Sequence, residues 1–313
     1  MTVTAFIFPG QGSQSVGMLG EAYSAWPEIA NTFHEASEVL GFDLWRMASE
    51  GPAETLALTA NTQPLVLTAS VALYRAYLAA GGPLPAVAAG HSLGEFSALV
   101  AAQSINFSDA VMLVRRRGEA MQEAVPVGVG AMAAIIGLDD DAINQVCRDV
   151  SSGGEHLALA VNYNSPGQVV IAGHSAAVDD AVVALKIAGA KRAMPLPVSA
   201  PFHTPLMHYA GEVLADALAT VELKDPTIPV ISNIDALPQT DSDDIRARLV
   251  KQVSSPVQWT GCVATMLSMG CSHFVECGPG KVLSGLIRRI DKSKPAFCVE
   301  TPDSMQATLA ELG

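Results

Sequence analysis

Short apolar runs of strand length alternate with longer segments of helical period at both ends of the chain. The strand-like runs cover residues 4–10, 86–92, 228–234 and 273–280, and the helical segments cover 63–80, 108–124, 257–269 and 280–290. This alternation predicts an α/β fold with a mostly parallel sheet that helices cover on both faces. Because ligands of such folds bind at the carboxyl ends of the strands, we expect the functional site at that edge.

The middle of the chain follows a different order. Between residues 128 and 198 the pattern predicts strand, helix, strand, a tight Asn-Ser-Pro-Gly turn, strand, helix and strand. That order is typical of a split β-α-β, ferredoxin-like α+β unit. We therefore expect a small domain at 128–198, inserted into a large domain made of 1–127 and 199–313, with a ligand cleft between the two.

Composition and charge narrow the class of protein. The 313 residues are 50% hydrophobic and 16% charged, with a mean hydropathy of +0.31, which suits a globular protein with a large core. The net charge of −13 argues against nucleic acid as a partner, because phosphate binding needs a basic surface. Without a membrane-length apolar run or a signal peptide pattern, we expect a cytoplasmic protein with no membrane partner. Nothing in the pattern demands more than a monomer.

Cysteine spacing and glycine-rich stretches give no indication of a bound cofactor. The five cysteines are odd in number and show no C-x-x-C or Cys/His spacing, so we expect buried thiols and no metal site. The stretch FPGQGSQSVG misses the G-x-G-x-x-G spacing, and GPGK at 278–281 lacks the Walker spacing. Neither stretch therefore indicates a nucleotide-dependent reaction.

Gly90, Ser92 and Gly94 form a G-x-S-x-G pattern at the point where an apolar run ends and a helix begins. A nucleophile elbow has this form, since a strained strand-to-helix turn exposes the serine hydroxyl. Its glycines permit backbone angles and close approaches that a Cβ would block. A purely structural turn would use the same residues, so the pattern by itself leaves both interpretations open.

A serine nucleophile needs a base, and histidine is the usual one because its pKa lies near neutrality. His203 stands first among the seven histidines, because it follows the predicted insertion and has prolines on both sides that fix the backbone. His91 adjoins the serine, but neighbours within a sharp turn normally point apart, so we expect it to pack. The spacing alone does not settle the choice.

The segment 108–124 predicts an amphipathic helix with Ser108 as its cap and three consecutive arginines, Arg115, Arg116 and Arg117. The arginines point in different directions around the helix. Either they form a solvated cluster with nearby glutamates, or Arg117 turns inward and binds a substrate carboxylate as a two-pronged fork.

Motifs spread over the whole length carry a resemblance to a known family. They are FPGQGSQSVGM with Gln11, NTQPLVLTASVALY with Gln63, AGHSLGE with Ser92, RRRGEAMQEAVP with Arg117, VNYNSPGQVVIAG with Asn162, PVSAPFHTPLM with His203 and KQVSSPVQW with Gln252. On these residues the chain resembles the bacterial malonyl-CoA:acyl carrier protein transacylases of type II fatty acid synthesis. The resemblance implies an α/β-hydrolase-like large domain with an inserted ferredoxin-like small domain.

The resemblance also implies a ping-pong mechanism through a malonyl-serine ester. Ser92 would attack the malonyl thioester, and His203 would take its proton and return it to the departing thiol. The backbone N–H groups of Gln11 and Leu93 would form the oxyanion hole. The family has no third carboxylate, so the other histidine nitrogen would face a backbone carbonyl near Gln252.

The implied substrate site surrounds a free carboxylate. Arg117 would hold that carboxylate, and Gln63, Met121, Asn162 and Phe202 would line the substrate pocket. Acetyl-CoA would leave the guanidinium unpaired at a cost of about 3–5 kcal/mol, so we expect strong discrimination. Phe202 would narrow the space beside the α-carbon and make methylmalonyl-CoA a poor substrate. No cofactor would be bound, because malonyl-CoA is the donor and the phosphopantetheine belongs to the holo acyl carrier protein.

Carrier proteins of this family are acidic, and so is this chain, so local basic patches must dock the carrier. We expect these patches at Lys191 and Arg192 on the small domain and at Arg288 and Arg289 on the large domain. An ordinary solvated surface is the alternative for all four residues.

Three alternatives remain open at the level of sequence. A plain serine hydrolase would pass the acyl group to water, although a hydrolase of neutral esters has no use for a buried guanidinium. A non-catalytic carrier-binding module would keep the fold without the chemistry. The same reaction could also serve polyketide synthesis or a malonate decarboxylase.

Overall fold

The computed structural model describes residues 3–151, 156–198 and 200–313, so the predicted domain boundary at residue 199 lies outside the described residues. The strands are β1 (Thr4–Phe8), β2 (Val87–Gly90), β3 (Gly130–Ile136), β4 (Ala158–Ser165), β5 (Gln168–His174), β6 (Arg192–Pro195), β7 (Val230–Ile231), β8 (Pro238–Gln239), β9 (His273–Glu276) and β10 (Ala296–Cys298). The helices of the first half are α1 (Gly20–Ala25), α2 (Pro27–Leu40), α3 (Leu44–Glu50), α4 (Ala53–Ala57), α5 (Thr59–Ala79), α6 (Gly94–Ala101), α7 (Phe107–Glu123) and α8 (Asp140–Val150). Those of the second half are α9 (Ser175–Ile187), α10 (His208–Leu218), α11 (Ser242–Gln252), α12 (Trp259–Ser268), α13 (Val282–Ile290) and α14 (Pro302–Leu312).

A six-stranded sheet with the order β10-β9-β1-β2-β7-β8 forms the centre of the larger part of the molecule. Its neighbouring strands are parallel except for the pairing of β7 with the edge strand β8. Phe6 and Phe8 of β1 pack on one face against α2, α5 and α7, while Ala5 and Ile7 pack on the other face against α12 and α13. The predicted mixed α/β fold with a mostly parallel sheet is therefore confirmed.

A second sheet of four antiparallel strands, with the order β4-β5-β3-β6, contains the middle of the chain. Its elements follow the predicted order, and the tight turn between β4 and β5 places Gly167 at a φ of 72°, a left-handed conformation that favours glycine. Helices α8 and α9 cover one face. The other face, which contains Met132 and Val170, packs against Phe202 of the larger part.

Backbone pairing attaches the second sheet to the larger part. The N–H of Tyr163 in β4 donates to the carbonyl of Val257 over 3.0 Å, and the N–H of Val257 donates to the carbonyl of Val161 over 2.8 Å. Helices α12 and α13 also contact β4. This attachment places the open face of the second sheet over the carboxyl edge of the first.

Two helix starts differ from the sequence predictions. Asn106, and not Ser108, caps α7, because its Oδ1 accepts the backbone N–H of Ser108 over 2.9 Å. Helix α5 begins at Thr59 and continues through Pro64, which has no N–H to donate to the carbonyl of Ala60. That carbonyl instead accepts from Arg115 Nη1 over 3.2 Å, so an arginine of α7 compensates for the proline.

The cysteines, the membrane-spanning potential of the helices and the grouping of metal-ligand side chains can be compared with the sequence expectations. All five cysteines are free thiols; Cys298 is half-buried and the others are buried. Across the ranges that the structure describes, no helix is both long and apolar enough to cross a membrane. Within the same ranges, no group of three or more His, Cys, Asp or Glu side chains is placed to hold a metal ion.

Candidate active site

Ser92 lies just beyond the carboxyl end of β2, in a sharp turn that leads into α6. Its φ of 51° is left-handed, which is a strained conformation for a residue with a side chain. The flanking glycines have ordinary φ angles and serve close packing: a Cβ on Gly90 would lie 1.9 Å from the backbone of Gly94, and one on Gly94 would lie 2.0 Å from the carbonyl oxygen of Phe8. The elbow therefore depends on missing side chains at both glycines, and the unusual backbone angle falls on the serine.

His203 lies 111 residues after Ser92 and also has a left-handed φ, of 63°. Its Nε2 is 2.7 Å from Ser92 Oγ, and its Nδ1 is 3.0 Å from the carbonyl oxygen of Gln252 and 3.1 Å from that of Ser255. Because carbonyl oxygens only accept, Nδ1 carries the proton in the neutral ring. Nε2 is then the acceptor, and the Ser92 hydroxyl donates to it.

The electrostatics of this pair favour a neutral histidine. Burial, reinforced by the positive charge of Arg117, lowers the pKa of His203 to about 3. The ring is therefore an unprotonated base at neutral pH, ready to accept the proton of Ser92. Once it is protonated, its Nδ1–H has two carbonyl oxygens to stabilise the charge.

Arg117 is 1% exposed, so the inward orientation is the one that the structure has. Its Nη1 donates to Gln63 Oε1 over 2.9 Å, and its Nη2 donates to Gln252 Oε1 over 3.0 Å and to Ser92 Oγ over 3.3 Å. Burial lowers the pKa of Arg117 to about 10, which leaves it charged at neutral pH. Its buried Nε has no hydrogen-bond partner among the described residues.

Close packing of α5 and α7 brings Arg117 to its partners. A Cβ on Gly118 would lie 2.7 Å from the carbonyl oxygen of Thr59, so only glycine permits this approach. Met121, one turn further along α7, contacts Gln63 through a 3.4 Å hydrogen bond from Nε2 to its Sδ. The neighbouring arginines behave differently, since Arg115 and Arg116 pair with Glu119 at the surface of α7.

A cavity of about 120 Å³ opens beside Ser92. The large part of the molecule and the second sheet both contribute to its lining, which consists of Gln11, Gln63, His91, Ser92, Leu93, Arg117, Met121, Met132, Asn162, Val170, Leu196, Val198, Phe202 and His203. The cavity thus brings together the residues that the resemblance assigned to catalysis, oxyanion binding and substrate binding, while Gln252 lies buried behind it.

Gln11 and Leu93 enter the cavity from the loops after β1 and β2, both at the carboxyl edge of the sheet. No acceptor in the described part of the chain pairs with the backbone N–H of either residue. Both N–H groups therefore lack an acceptor within that part of the chain, as the donors of an oxyanion hole must before the substrate binds.

His91 does not simply pack away from the serine, as the sequence suggested. Its ring lines the same cavity, and its Nε2 lies 2.7 Å from Asn164 Oδ1 of β4. Burial lowers the pKa of His91, so it is neutral at pH 7 and its Nε2–H donates to Asn164. The sharp turn allows this because Ser92, with its left-handed φ, projects toward His203 while His91 reaches across to the second sheet.

Several residues that hold the site escaped the sequence analysis. The Ser92 N–H donates to Asn233 Oδ1 over 2.6 Å, and the carboxylate of Glu95 lies beneath the elbow among three N–H donors. Glu95 did leave a signal, because it is an acidic residue in α6, a short helix whose residues are otherwise apolar or small. Asn233 left none, since it follows a two-residue strand.

The predicted docking residues are exposed and lie outside the cavity. Lys191 and Arg192 lie at the start of β6, and Arg288 and Arg289 lie in the last turn of α13. Arg289 Nη1 donates to the side chain of Gln168 in β5. Because Gln168 and Arg192 both pair with Ile136 of β3, the two basic pairs meet at one end of the second sheet.

Comparisons with known proteins agree with this geometry. A family model described as an acyl transferase domain matches residues 5–304, which defines the class of protein. The chain is 54% identical over 309 residues to the malonyl CoA-acyl carrier protein transacylase of Escherichia coli O157:H7, covering 99% of both chains. It is 45% identical to the protein of the same name from Bacillus subtilis, covering 100% of this chain and 98% of that one. The chain belongs to the family of malonyl CoA-acyl carrier protein transacylases.

Solved structures give the same result. An acyl carrier protein S-malonyltransferase from Vibrio cholerae superposes with a TM-score of 0.95 at 51% identity, covering 98% of this chain and 99% of that one. A malonyl-transacylase solved in complex with a type II PKS acyl-carrier protein superposes with a TM-score of 0.97 at 47% identity, covering 99% and 100%.

Proposed function

We propose that this chain moves the malonyl group from malonyl-CoA to the phosphopantetheine thiol of acyl carrier protein, supplying fatty acid elongation. One observation carries the proposal: Arg117 Nη2 lies 3.3 Å from Ser92 Oγ, which lies 2.7 Å from His203 Nε2. The malonyl carboxylate is one methylene away from the carbonyl that the serine attacks, so a cation beside the nucleophile has the right reach. The names of the relatives support the same donor and acceptor.

In the first half of the reaction, His203 Nε2 takes the proton of Ser92 as Oγ bonds to the thioester carbonyl carbon. The N–H groups of Gln11 and Leu93 stabilise the oxyanion of the tetrahedral intermediate. The intermediate collapses as the C–S bond breaks, and the proton on His203 passes to the coenzyme A sulfur. The product is a malonyl ester on Ser92 with neutral His203 restored.

In the second half, the carrier's phosphopantetheine thiol enters the place that coenzyme A has left. His203 takes the thiol proton, the sulfur attacks the malonyl ester carbonyl, and the C–O bond to Ser92 breaks. Ser92 recovers its proton from His203. Throughout both halves Arg117 pairs with the malonyl carboxylate, which holds the acyl group in place for attack first by Ser92 and then by the carrier thiol.

The remaining cavity residues shape the acyl pocket. Gln63 and Met121 border the guanidinium, and Phe202 stands directly before the base. Asn162 lines the cavity from β4, on the side of the second sheet.

The domain arrangement is part of the proposal. Residues 128–198 would form a ferredoxin-like domain inserted into an α/β-hydrolase-like domain of 1–127 and 199–313. The separate hydrogen bonding of the two sheets supports it. Hydrogen exchange of the whole protein in mild denaturant should open 130–195 as one unit; exchange of β3–β6 together with β1 and β2 would contradict the division.

We expect the carrier to dock on the basic end of the second sheet, formed by Lys191, Arg192, Arg288 and Arg289. Reversing these charges should raise the KM for the carrier about tenfold or more, since each rim charge contributes up to about 1 kcal/mol. The KM for malonyl-CoA should stay constant. Reversal of four other solvent-exposed basic side chains, Arg46, Arg116, Arg148 and Lys224, controls for the same change in net charge. An equal rise in both KM values would contradict the docking site.

The proposed activity is tested by intact-protein mass after brief mixing with malonyl-CoA, before and after addition of holo carrier protein. We expect a malonyl adduct in the wild type, none in Ser92→Ala, and loss of the adduct to the carrier. An adduct that decays to free malonate without a carrier would mean a hydrolase. No adduct, with carrier binding intact, would mean a binding module. Because one similar structure holds a type II PKS carrier, fatty acid and polyketide carriers should both be offered.

A further inference from the structure

Glu95 is a carboxylate that lies beneath the nucleophile elbow and takes no part in the reaction steps above. It is 0% exposed, on the first turn of α6. Its Oε1 accepts from Gln239 Nε2 over 2.7 Å, and its Oε2 accepts from the backbone N–H of Asn233 over 3.0 Å and from Gln252 Nε2 over 2.7 Å. A buried carboxylate surrounded by donors on three separate segments fixes those segments relative to one another.

Two of the three donors hold the backbone of the nucleophile. Asn233 Oδ1 accepts the N–H of Ser92 over 2.6 Å, and Asn233 Nδ2 donates to the carbonyl of Gly90 over 2.7 Å. Gln252 Nε2 donates to the carbonyl of Ser92 over 3.1 Å. The left-handed φ of Ser92 costs energy and persists only where the surroundings over-determine it. Glu95 binds both Asn233 and Gln252, the two residues that hold the backbone of Ser92 in this conformation.

Gln252 extends the same anchor to the base and to the carboxylate-binding arginine. Its backbone carbonyl accepts from His203 Nδ1, and its side-chain Oε1 accepts from Arg117 Nη2. An amide can turn over, and the reversed amide would set its NH₂ group against the guanidinium. Glu95 opposes this together with the carbonyl of Ser92, because both accept from the NH₂ group of Gln252, and the contact with Glu95 is the shorter of the two, at 2.7 Å against 3.1 Å. The amide thus links the carboxylate of Glu95 to the guanidinium of Arg117.

We propose that Glu95 is a positioning residue that, through Asn233 and Gln252, fixes Ser92, His203 and Arg117 relative to one another and so sets the preference for malonyl over acetyl groups. The inference rests on the proposed function, because the preference has meaning only if malonyl-CoA is the donor. It predicts that the orientation of the Gln252 amide matters, and that the charge of Glu95 matters less than its two acceptor positions.

Substitutions of Glu95 separate these contributions. Glu95→Gln keeps an oxygen for Asn233 and Gln252, and its new NH₂ group can donate to Gln239 Oε1, which has no partner among the described residues, once that amide turns over. Glu95→Asp keeps the charge but is one methylene short, and Glu95→Ala removes every contact. Gln239→Ala is the matched control, because it removes a 2.7 Å hydrogen bond to Glu95 and leaves Asn233 and Gln252 in place.

The measurement is the single-turnover rate of Ser92 acylation with malonyl-CoA and with acetyl-CoA, on variants whose folded fraction is fixed by thermal unfolding. Loss of the alignment between Ser92, His203 and Arg117 should slow malonylation about 100-fold in Glu95→Ala and Glu95→Asp. The malonyl-to-acetyl rate ratio should fall about tenfold in both variants, which corresponds to one charge-assisted hydrogen bond. Glu95→Gln and Gln239→Ala should keep the wild-type ratio.

The outcomes distinguish the inference from the proposed function. Unchanged ratios in Glu95→Asp and Glu95→Ala would overturn the positioning role, and so would loss of the ratio in Gln239→Ala to the same extent. If Glu95→Ala does not fold, Glu95→Asp and Glu95→Gln are compared instead. The same malonyl-to-acetyl rate ratio in both variants would overturn the positioning role. A wild type that forms no malonyl adduct would instead overturn the proposed function, before any variant is compared.

Discussion

Replacement of Arg117 by alanine is the most direct test of substrate recognition. The side chain is 1% exposed and contacts Gln63, Gln252 and Ser92 Oγ, so its loss removes the buried cation nearest to the nucleophile. The fold should survive, because removing the cation lets the nearby carboxyl of Glu95 take up a proton: burial already raises the pKa of Glu95 to about 7. We therefore expect the substitution to weaken recognition of the acyl group and to leave folding largely intact.

The size of the effect follows from the partners of the guanidinium. Truncating one member of a buried, hydrogen-bonded charge pair costs about 2–5 kcal/mol. Two amide oxygens already accept from Arg117 when no substrate is bound, so an acetyl group does not leave the guanidinium unpaired, and the lower end of that range applies. A loss of about 2–3 kcal/mol corresponds to a fall of roughly 30- to 150-fold in the kcat/KM for malonyl-CoA.

The assay is formation of the acyl-enzyme with malonyl-CoA and acetyl-CoA, by quenched flow and intact mass. In Arg117→Ala the rate constant for acetyl-CoA should stay within about threefold of the wild type, because the acetyl group has no carboxylate to pair. Arg116→Ala is the matched control, since its side chain is 63% exposed on the same helix and pairs with Glu119. An equal fall for both acyl donors would refute carboxylate recognition and reduce Arg117 to a structural residue.

Three further predictions concern the base, the acyl pocket and the elbow. Since the pKa of His203 is lowered to about 3, the acylation rate at pH 5 should be at least half of the rate at pH 8. A histidine with a pKa of about 6.5 would be only about 3% neutral at pH 5. A fall centred near pH 6.5 that persists in Glu95→Gln, which removes the other group with a pKa near 7, would contradict this. Phe202→Ser should raise the methylmalonyl-to-malonyl rate ratio about tenfold or more by opening space beside the α-carbon, and an unchanged ratio would disprove the steric role. Gly94→Ala should cost about 3 kcal/mol or more in unfolding free energy, because its Cβ would lie 2.0 Å from the carbonyl oxygen of Phe8; Gly285→Ala, where nothing lies within 4 Å, should cost nothing.

Local pattern was a good guide where one segment decides the outcome. The alternation of apolar runs predicted the parallel sheet, and the order of elements in 130–195 predicted the antiparallel one. The pattern also identified the elbow at Ser92 and offered an inward-facing Arg117 as one of two interpretations, which the structure has chosen. It failed at the cap of α7, which is Asn106, and at the start of α5, which lies before Pro64 and whose Ala60 carbonyl accepts from Arg115 instead of from residue 64.

The sequence by itself determined which faces are apolar, where strands end, and which residues carry a hydroxyl, an imidazole or a guanidinium. The tertiary structure alone decided which of these groups meet. Asn233 binds the N–H of Ser92 from 141 residues away, and Gln252 reaches Glu95 from 157 residues away. No periodicity specifies such contacts, because a repeat of 2 or about 3.6 residues selects a face and says nothing about the element that packs there. These side chains meet at one edge of the sheet because the strands that precede them are neighbours and because Gly90, Gly94 and Gly118 permit close packing.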